Sequence, residues 1–285
     1  MALTMKKNDD DPISLLISDL AQPKEKAKTL YDFARYLFSS VKWEDVDQVR
    51  RSYYSELVAH CFEMVQTRKT GQPKVEIFSP STQLSINSEL QTCTVINIQN
   101  DDMPFLIDSL LGELQARNIK IHQVLHPVLK VKRDKKGSLL GLVPPDKDKT
   151  EIATMDGIKA ESFISIQVDA LKEETIEDLQ SALQDLSCRV GVVVKDWLLM
   201  RNRLTSIASD LSTNMPQVPL AQLSEAVQFL RWANDNNFTF LGMREYSIKG
   251  KTKNSKLAPK RGSGLGLLRD TKVEVLRRGK ELTHM

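Results

Sequence analysis

Residues able to do chemistry gather at four places in this 285-residue chain. The first is Asn100-Asp101-Asp102, between a β-branched run and a helix-like one. A strand end meeting a helix start leaves free backbone N–H groups that can hold a carboxylate, and side-chain carboxylates can hold an ammonium. That pairing suits a free amino acid. The same acids also serve, with no ligand at all, as caps for the helix that follows. The second place is His122 and His126, four apart in an alternating stretch. Four strand residues separate their Cα atoms by about 13 Å, too far for two ligands of one ion, and no third ligand lies nearby, so they read as polar residues on a half-exposed sheet face. The third is GSGLG at 262–266. A dinucleotide loop follows a strand, opens a helix and has an acid some 20 residues on; this one follows a basic segment and reads as a turn. The fourth is that segment itself, Lys249 to Arg261, with six basic residues, no acids and no aromatics. Without aromatics to stack bases it reads as a solvated surface loop rather than a nucleic-acid site.

The remaining chemistry is excluded by pattern. The chain has no GxSxG, HExxH or GxxxxGK[ST], so the sequence offers no nucleophile with its base, no zinc helix and no P-loop. No catalytic, cofactor-binding or metal-ligating residue is expected. The formal net charge is only +3, which generates no field that would steer the protein to nucleic acid or to an anionic membrane. Apolar runs stop far short of the roughly 20 residues of a membrane span. The first eleven residues hold two lysines and no apolar stretch, so no secretory leader is read there. Cys61, Cys93 and Cys188 are widely spaced and odd in number; a cytoplasmic location fits them.

Elements that could position the acidic turn follow from periodicity. Asp11-Pro12 opens a short helix, to about Leu20. Leu30, Phe33, Ala34 and Leu37 recur at helical spacing after Pro23, and a third helix lies between Trp43 and Arg68, so residues 1–70 read as a helical bundle. Strands are expected at Lys74–Phe78, Thr92–Ile98, Ile119–Val131, Leu139–Val143, Ser162–Val168 and Arg189–Val194. Helices carry Ile107, Leu110, Leu111 and Leu114 after the turn, and Ile176, Leu179, Leu183 and Leu186 from about Thr175. The resulting order is that of a βαββαβ α+β sandwich over residues 71–195. Asp196 is expected to cap a separate helix whose Trp197, Met200, Leu204, Ile207 and Leu211 form a packing seam. Connecting helices fill 196–237, and a new strand runs from Phe238 to Ile248. The seam and the half-apolar second sheet face both suit self-association.

The segments DDMPFLIDSL (101–110) and IHQVLHPVLKVKRDKKG (121–137) closely resemble the N-terminal region of the large bacterial NAD-specific glutamate dehydrogenases. GQPKVEIFSP (71–80), LRWANDNNFTFLGMREY (230–246) and GSGLGLLRD (262–270) agree in the same order, with Met243 and Leu267 replacing an expected aromatic and isoleucine. The resemblance implies a regulatory head built of ACT-type amino-acid-sensing modules, with residues 238–285 starting a second, incomplete one. It further implies a catalytic core, using NAD to oxidise L-glutamate to 2-oxoglutarate and ammonia, much further along a longer polypeptide, so that these 285 residues alone are inactive. Carried onto this sequence, the effector region is Asn100, Asp101, Asp102, Met103 and Pro104. Partners implied are a free amino-acid effector, other copies of the chain, and the catalytic core. A stand-alone ACT-type regulator or an oligomerisation scaffold is the alternative.

Overall fold

A computed structural model describes residues 11–18, 20, 24–43, 46, 48–82, 84–86, 89–147, 155–249 and 256–273. They divide into two compact units, residues 1–188 and 189–285. The fold is mixed α/β, with antiparallel sheets and helices. Among the described residues no helix is long and apolar enough to cross a membrane.

The first unit opens with helices α1 (Pro12–Ile17), α2 (Lys24–Leu37) and α3 (Gln48–Val65). Asp11 caps α1 through its carboxylate, which accepts from the Ser14 amide, and Pro12 takes the first position. Strand β1 (Lys74–Phe78) follows, then a small hairpin of β2 (Leu84–Ile86) and β3 (Glu89–Gln91), then β4 (Cys93–Asp101), helix α4 (Leu106–Ala116), and strands β5 (Ile121–Leu125), β6 (Val128–Arg133), β7 (Leu139–Leu142) and β8 (Ile158–Asp169). The main sheet has the order β1-β4-β8-β6-β7, with β5 also on β8, and every pairing is antiparallel. The stretch expected as one strand from Ile119 to Val131 is two. It breaks at His126-Pro127, because proline has no N–H to give the ladder.

The β4 strand is buried on both faces from Cys93 to Asn100, so each face must have cover. Cys93, Val95, Leu125, Leu129, Val131 and Phe163 share one core with Leu30, Phe33, Leu37, Leu57, Phe62 and Val65 of α2 and α3. Ile96, Ile98, Ile164 and Ile166 point the other way and are equally buried. Buried leucines of α4 (Leu110, Leu114) and of the next helix (Leu179, Leu183) lie outside the first core and supply that side. The N-terminal helices are therefore a layer laid on the sheet rather than a free-standing bundle. This corrects the expected half-apolar second sheet face, which is covered by side chains of α1, α2 and α3.

Helix α5 runs unbroken from Glu173 to Thr213, and this overturns two expectations. Arg189–Val194 is helix, not the sixth strand of a βαββαβ order, and Asp196 lies mid-helix rather than at a start. The buried positions Leu179, Leu183, Val190, Val193, Met200 and Leu204 keep helical spacing throughout, so the apolar stripe outweighs the β-preference of four valines. The sheet position beside β4 is taken by β1.

In the second unit, α5 from Arg189 onward is joined by α6 (Leu220–Trp232), a π-helical turn at Ala233–Asn237, and two small antiparallel pairs: β9 (Gly242–Met243) with β12 (Leu265–Gly266), and β10 (Tyr246–Lys249) with β11 (Lys256–Pro259). The strand expected from Phe238 to Ile248 is thus confined to β9 and β10. The basic segment read as a loop is partly strand, at Lys249 and at 256–259, and its residues 250–255 lie outside the described set. GSGLG makes a tight backbone crossing. A Cβ on Gly264 would sit 2.1 Å from the Leu268 carbonyl oxygen, and one on Gly266, where φ is 57°, would sit 2.3 Å from that of Leu241. The buried Asp196 carboxylate locks this crossing. It accepts the Gly266 amide at 2.8 Å and pairs with the Arg269 guanidinium.

Candidate functional site

Strand alternation divides the acidic segment. Asn100 pairs with Ser162 across the β4–β8 ladder and Asp101 with Glu161, on successive rungs, so the two pairs point to opposite faces of the sheet. The sequence reading places Asn100, Asp101 and Asp102 together in a turn; instead β4 continues through Asp101.

On the face shared with α4, Asn100 and Ser162 are buried and form a floor. The Ser162 hydroxyl donates to Asp102 Oδ1 at 2.7 Å, and His126 Nε2 lies 3.3 Å from the same hydroxyl oxygen. Partial burial pushes the His126 imidazole below its usual pKa, with the Asp102 charge opposing. Asn100 Oδ1 accepts the Asp101 amide at 2.8 Å, whereas its Nδ2 is buried with no hydrogen-bond partner among the described residues. A buried, unpaired amide donor is costly and marks a place where a partner is missing. Asp102 is exposed and forms the rim with His126. Met103 and Pro104 lead into α4 and bring no charged side chain. Phe105 follows at the helix boundary with a left-handed φ of 66° and no side-chain cap. Neither Asp101 nor Asp102 caps this helix; both carboxylates are instead bonded within the fold, Asp101 to Arg68 and the Gly71 amide and Asp102 to the Ser162 hydroxyl.

Aspartate, serine and histidine in contact invite comparison with a hydrolytic triad, but the order is wrong. The carboxylate holds the hydroxyl proton rather than the imidazole, so nothing prepares the histidine to take that proton from the serine. In this arrangement Asp102 presents an exposed acceptor, and Asn100 Nδ2 a buried donor without a partner among the described residues. His122 belongs elsewhere, with Nε2 at 2.5 Å from Asp169 Oδ1. The two histidines therefore contact β8 seven residues apart. Among the described residues no cluster of three histidine, cysteine or acidic side chains could hold a metal.

On the opposite face Asp101 enters a buried ion cluster. Arg68, just beyond α3, donates from Nη2 to Asp101 Oδ1 at 2.5 Å and to Glu161 Oε1 at 2.7 Å. Arg133 of β6 grips Glu161 with two bonds, Nε to Oε1 at 2.8 Å and Nη2 to Oε2 at 2.9 Å, and Gln99 donates to Oε2 at 2.8 Å. The Glu161 side chain is 0% exposed and that of Arg68 1%. Burial alone would raise the Glu161 pKa, but the bonds from Arg133 and Arg68 outweigh it and hold the carboxyl below its usual range.

The sequence reading groups Asn100, Asp101 and Asp102 as one turn, whereas the strand turns Asp101 to the face opposite Asn100. Ser162 and the Arg68–Glu161–Arg133 cluster went unseen. One signal was present: in ESFISIQVD the acid at 161 is in phase with Phe163, a core position.

A family model described as "Glutamate dehydrogenase, ACT1 domain" matches residues 33–183. The chain is 29% identical over 248 residues to an NAD-specific glutamate dehydrogenase of Halomonas elongata, covering 86% of this chain and 15% of that one. It is 26% identical over 238 residues to the protein of the same name from Pseudomonas aeruginosa, covering 83% and 14%. The chain thus spans about 15% of the length of the curated relatives it matches.

Proposed function

This chain belongs to the glutamate dehydrogenase ACT1-domain family, and from that premise we propose that it is the N-terminal regulatory region of an NAD-dependent glutamate dehydrogenase, sensing a free amino acid. In the complete enzyme the reaction is L-glutamate, NAD and water to 2-oxoglutarate, ammonia and NADH. Its catalytic residues and NAD site belong to the rest of that polypeptide, and residues 1–285 act on it from outside. One observation carries the sensing reading: the buried Asn100 Nδ2, without a partner among the described residues, on the ladder rung it shares with Ser162, whose hydroxyl bonds the exposed Asp102 carboxylate. An α-amino acid supplies a carboxylate for the first and an ammonium for the second.

Thermal unfolding of the 285-residue chain, with each of the twenty L-amino acids added in turn, tests it. At a hundredfold excess over Kd the bound amino acid adds about 2.7 kcal/mol, which raises Tm by several degrees. The double variant Asn100→Ala/Asp102→Ala loses that shift while keeping the far-UV spectrum of the parent. If no amino acid raises Tm, the sensing reading is wrong.

Assembly is a second reading, favoured by the second unit. Leu198, Leu199, Leu220, Phe229, Trp232 and Phe238 are each at least half exposed, and the last three form a ring cluster with centroids 5.6–6.2 Å apart. Exposed apolar groups at this density are characteristic of association surfaces. Light scattering on the chain at high concentration should report a dimer or larger species, and a monomer would count against assembly through this unit.

A further inference from the structure

We propose that the buried Arg68–Arg133–Asp101–Glu161 cluster carries the state of the Asn100–Asp102–Ser162 site to the N-terminal helical layer. The inference rests on the sensing reading and assigns a route for its signal. The site and the cluster are built from the same two strand ends, residue by residue. Asn100↔Ser162 is one rung of the β4–β8 ladder and Asp101↔Glu161 is the next. Beyond them the Asp102 amide donates to the Ala160 carbonyl at 3.2 Å. Peptide units are rigid and side chains alternate, so a ligand that shifts the backbone at Asp102 or Ser162 also turns Asp101 and Glu161 on the reverse face.

The reverse face is wired to the helices. Arg133 Nη1 donates to the carbonyl of Val65, the last residue of α3, and to that of Gly137, each at 3.0 Å. Arg68 Nη1 donates to the Gln72 carbonyl at 3.1 Å, and Asp101 Oδ2 accepts the Gly71 amide at 3.0 Å. The segment from Val65 to Gln72 is therefore held to the sheet by the same four charged groups. Two cations and two carboxylates balance, but the bonding is not saturated. Arg68 Nε and Gln99 Oε1 are buried without partners, leaving a donor and an acceptor for a second arrangement of the cluster. Charges away from water interact steeply with distance, so small strand movements change that balance.

Hydrogen–deuterium exchange on the 285-residue chain, with free L-amino acids as probes, tests the route. The amino acid that raises Tm should change exchange of the peptide spanning residues 65–72 by about fivefold or more. If the cluster and the site are coupled, Asp101→Asn, whose side chain faces away from the ligand, should also shift the Kd of that amino acid, by about fivefold or more. Arg133→Lys keeps the charge and loses the two-bond grip; it should abolish the exchange change at 65–72 while still binding, and it serves if Asp101→Asn does not fold. Binding with unaltered exchange at 65–72 in the parent, and unaltered Kd in either variant, overturns the route and leaves sensing intact. If none of the twenty binds, sensing itself falls and the route goes with it.

Discussion

Replacing Glu161 with alanine should destabilise the first unit by about 3–5 kcal/mol, the usual cost of stripping one partner from a buried ion pair. The loss is not the value of the attraction. It is the penalty for leaving Arg68, 1% exposed at its side chain, with Asp101 as its remaining carboxylate, and Arg133, 6% exposed, bonded to the Val65 and Gly137 carbonyls without its own carboxylate. Glu161→Gln keeps the shape but not the charge, and should fall in the same range. The pH dependence follows from the depressed pKa. A carboxylate whose folded pKa lies below its unfolded value, roughly 4.3 for glutamate, contributes fully above that unfolded value. The contribution drains away as pH falls through the lower, folded one. Urea unfolding at a series of pH values should thus show the parent losing stability on acidification below pH 4, while Glu161→Gln, already without this charge, loses less. Parallel curves for the two proteins would show that the Glu161 carboxyl titrates alike in the folded and unfolded chain, against the depressed folded pKa.

Phe33→Ala should cost a similar 3–5 kcal/mol, the range for emptying a fully buried aromatic site. Phe33 is 0% exposed. Its ring lies 5.5 Å from Phe163 of β8 in an edge-on arrangement and 5.8 Å from Phe62 of α3, so it joins two helices and the central strand. Trp43 packs against Phe38 and Tyr54 in the same layer. With Trp197→Phe and Trp232→Phe as background, its fluorescence alone reports that layer. If the helices are an integral cover of the sheet, Phe33→Ala moves the Trp43 transition and the far-UV transition together to lower urea. A shift in the fluorescence transition alone would make the helices a separate module.

How legible the molecule is in its sequence depends on which contacts decide each part. Helices α2 and α4 and strands β4 and β8 are set by local periodicity, and they lie close to where their apolar spacing places them. The cover of the sheet by residues 12–65 is decided by contacts between Phe33 and Phe163, 130 positions apart, which no local pattern reports. Arg189–Val194 misleads because four valines favour a strand in isolation, while Val190 and Val193 continue a stripe begun at Leu179. The site divides in the same way. Asn100 and Asp102 stand out by type and by place before a helix. Their partners Ser162 and His126 arrive from β8 and the β5–β6 break, and Asp101 is separated from its neighbours only by the side to which the strand turns it. Glu161 holds a core phase between Phe163 and the strand start; a charge there makes sense only once Arg68 and Arg133 are seen to meet it.

The central claim, that a free amino acid occupies the β4–α4 site, is tested most directly at the Asn100 side-chain amide. In 15N-correlated NMR spectra of the chain, that amide pair is assigned by its loss in Asn100→Ala. On titration with the amino acid that stabilises the fold, the account predicts that the Asn100 signals move and saturate with the same Kd as the stabilisation. An amino acid that stabilises the chain while leaving the Asn100 signals in place would contradict it, because the ligand would then be held elsewhere.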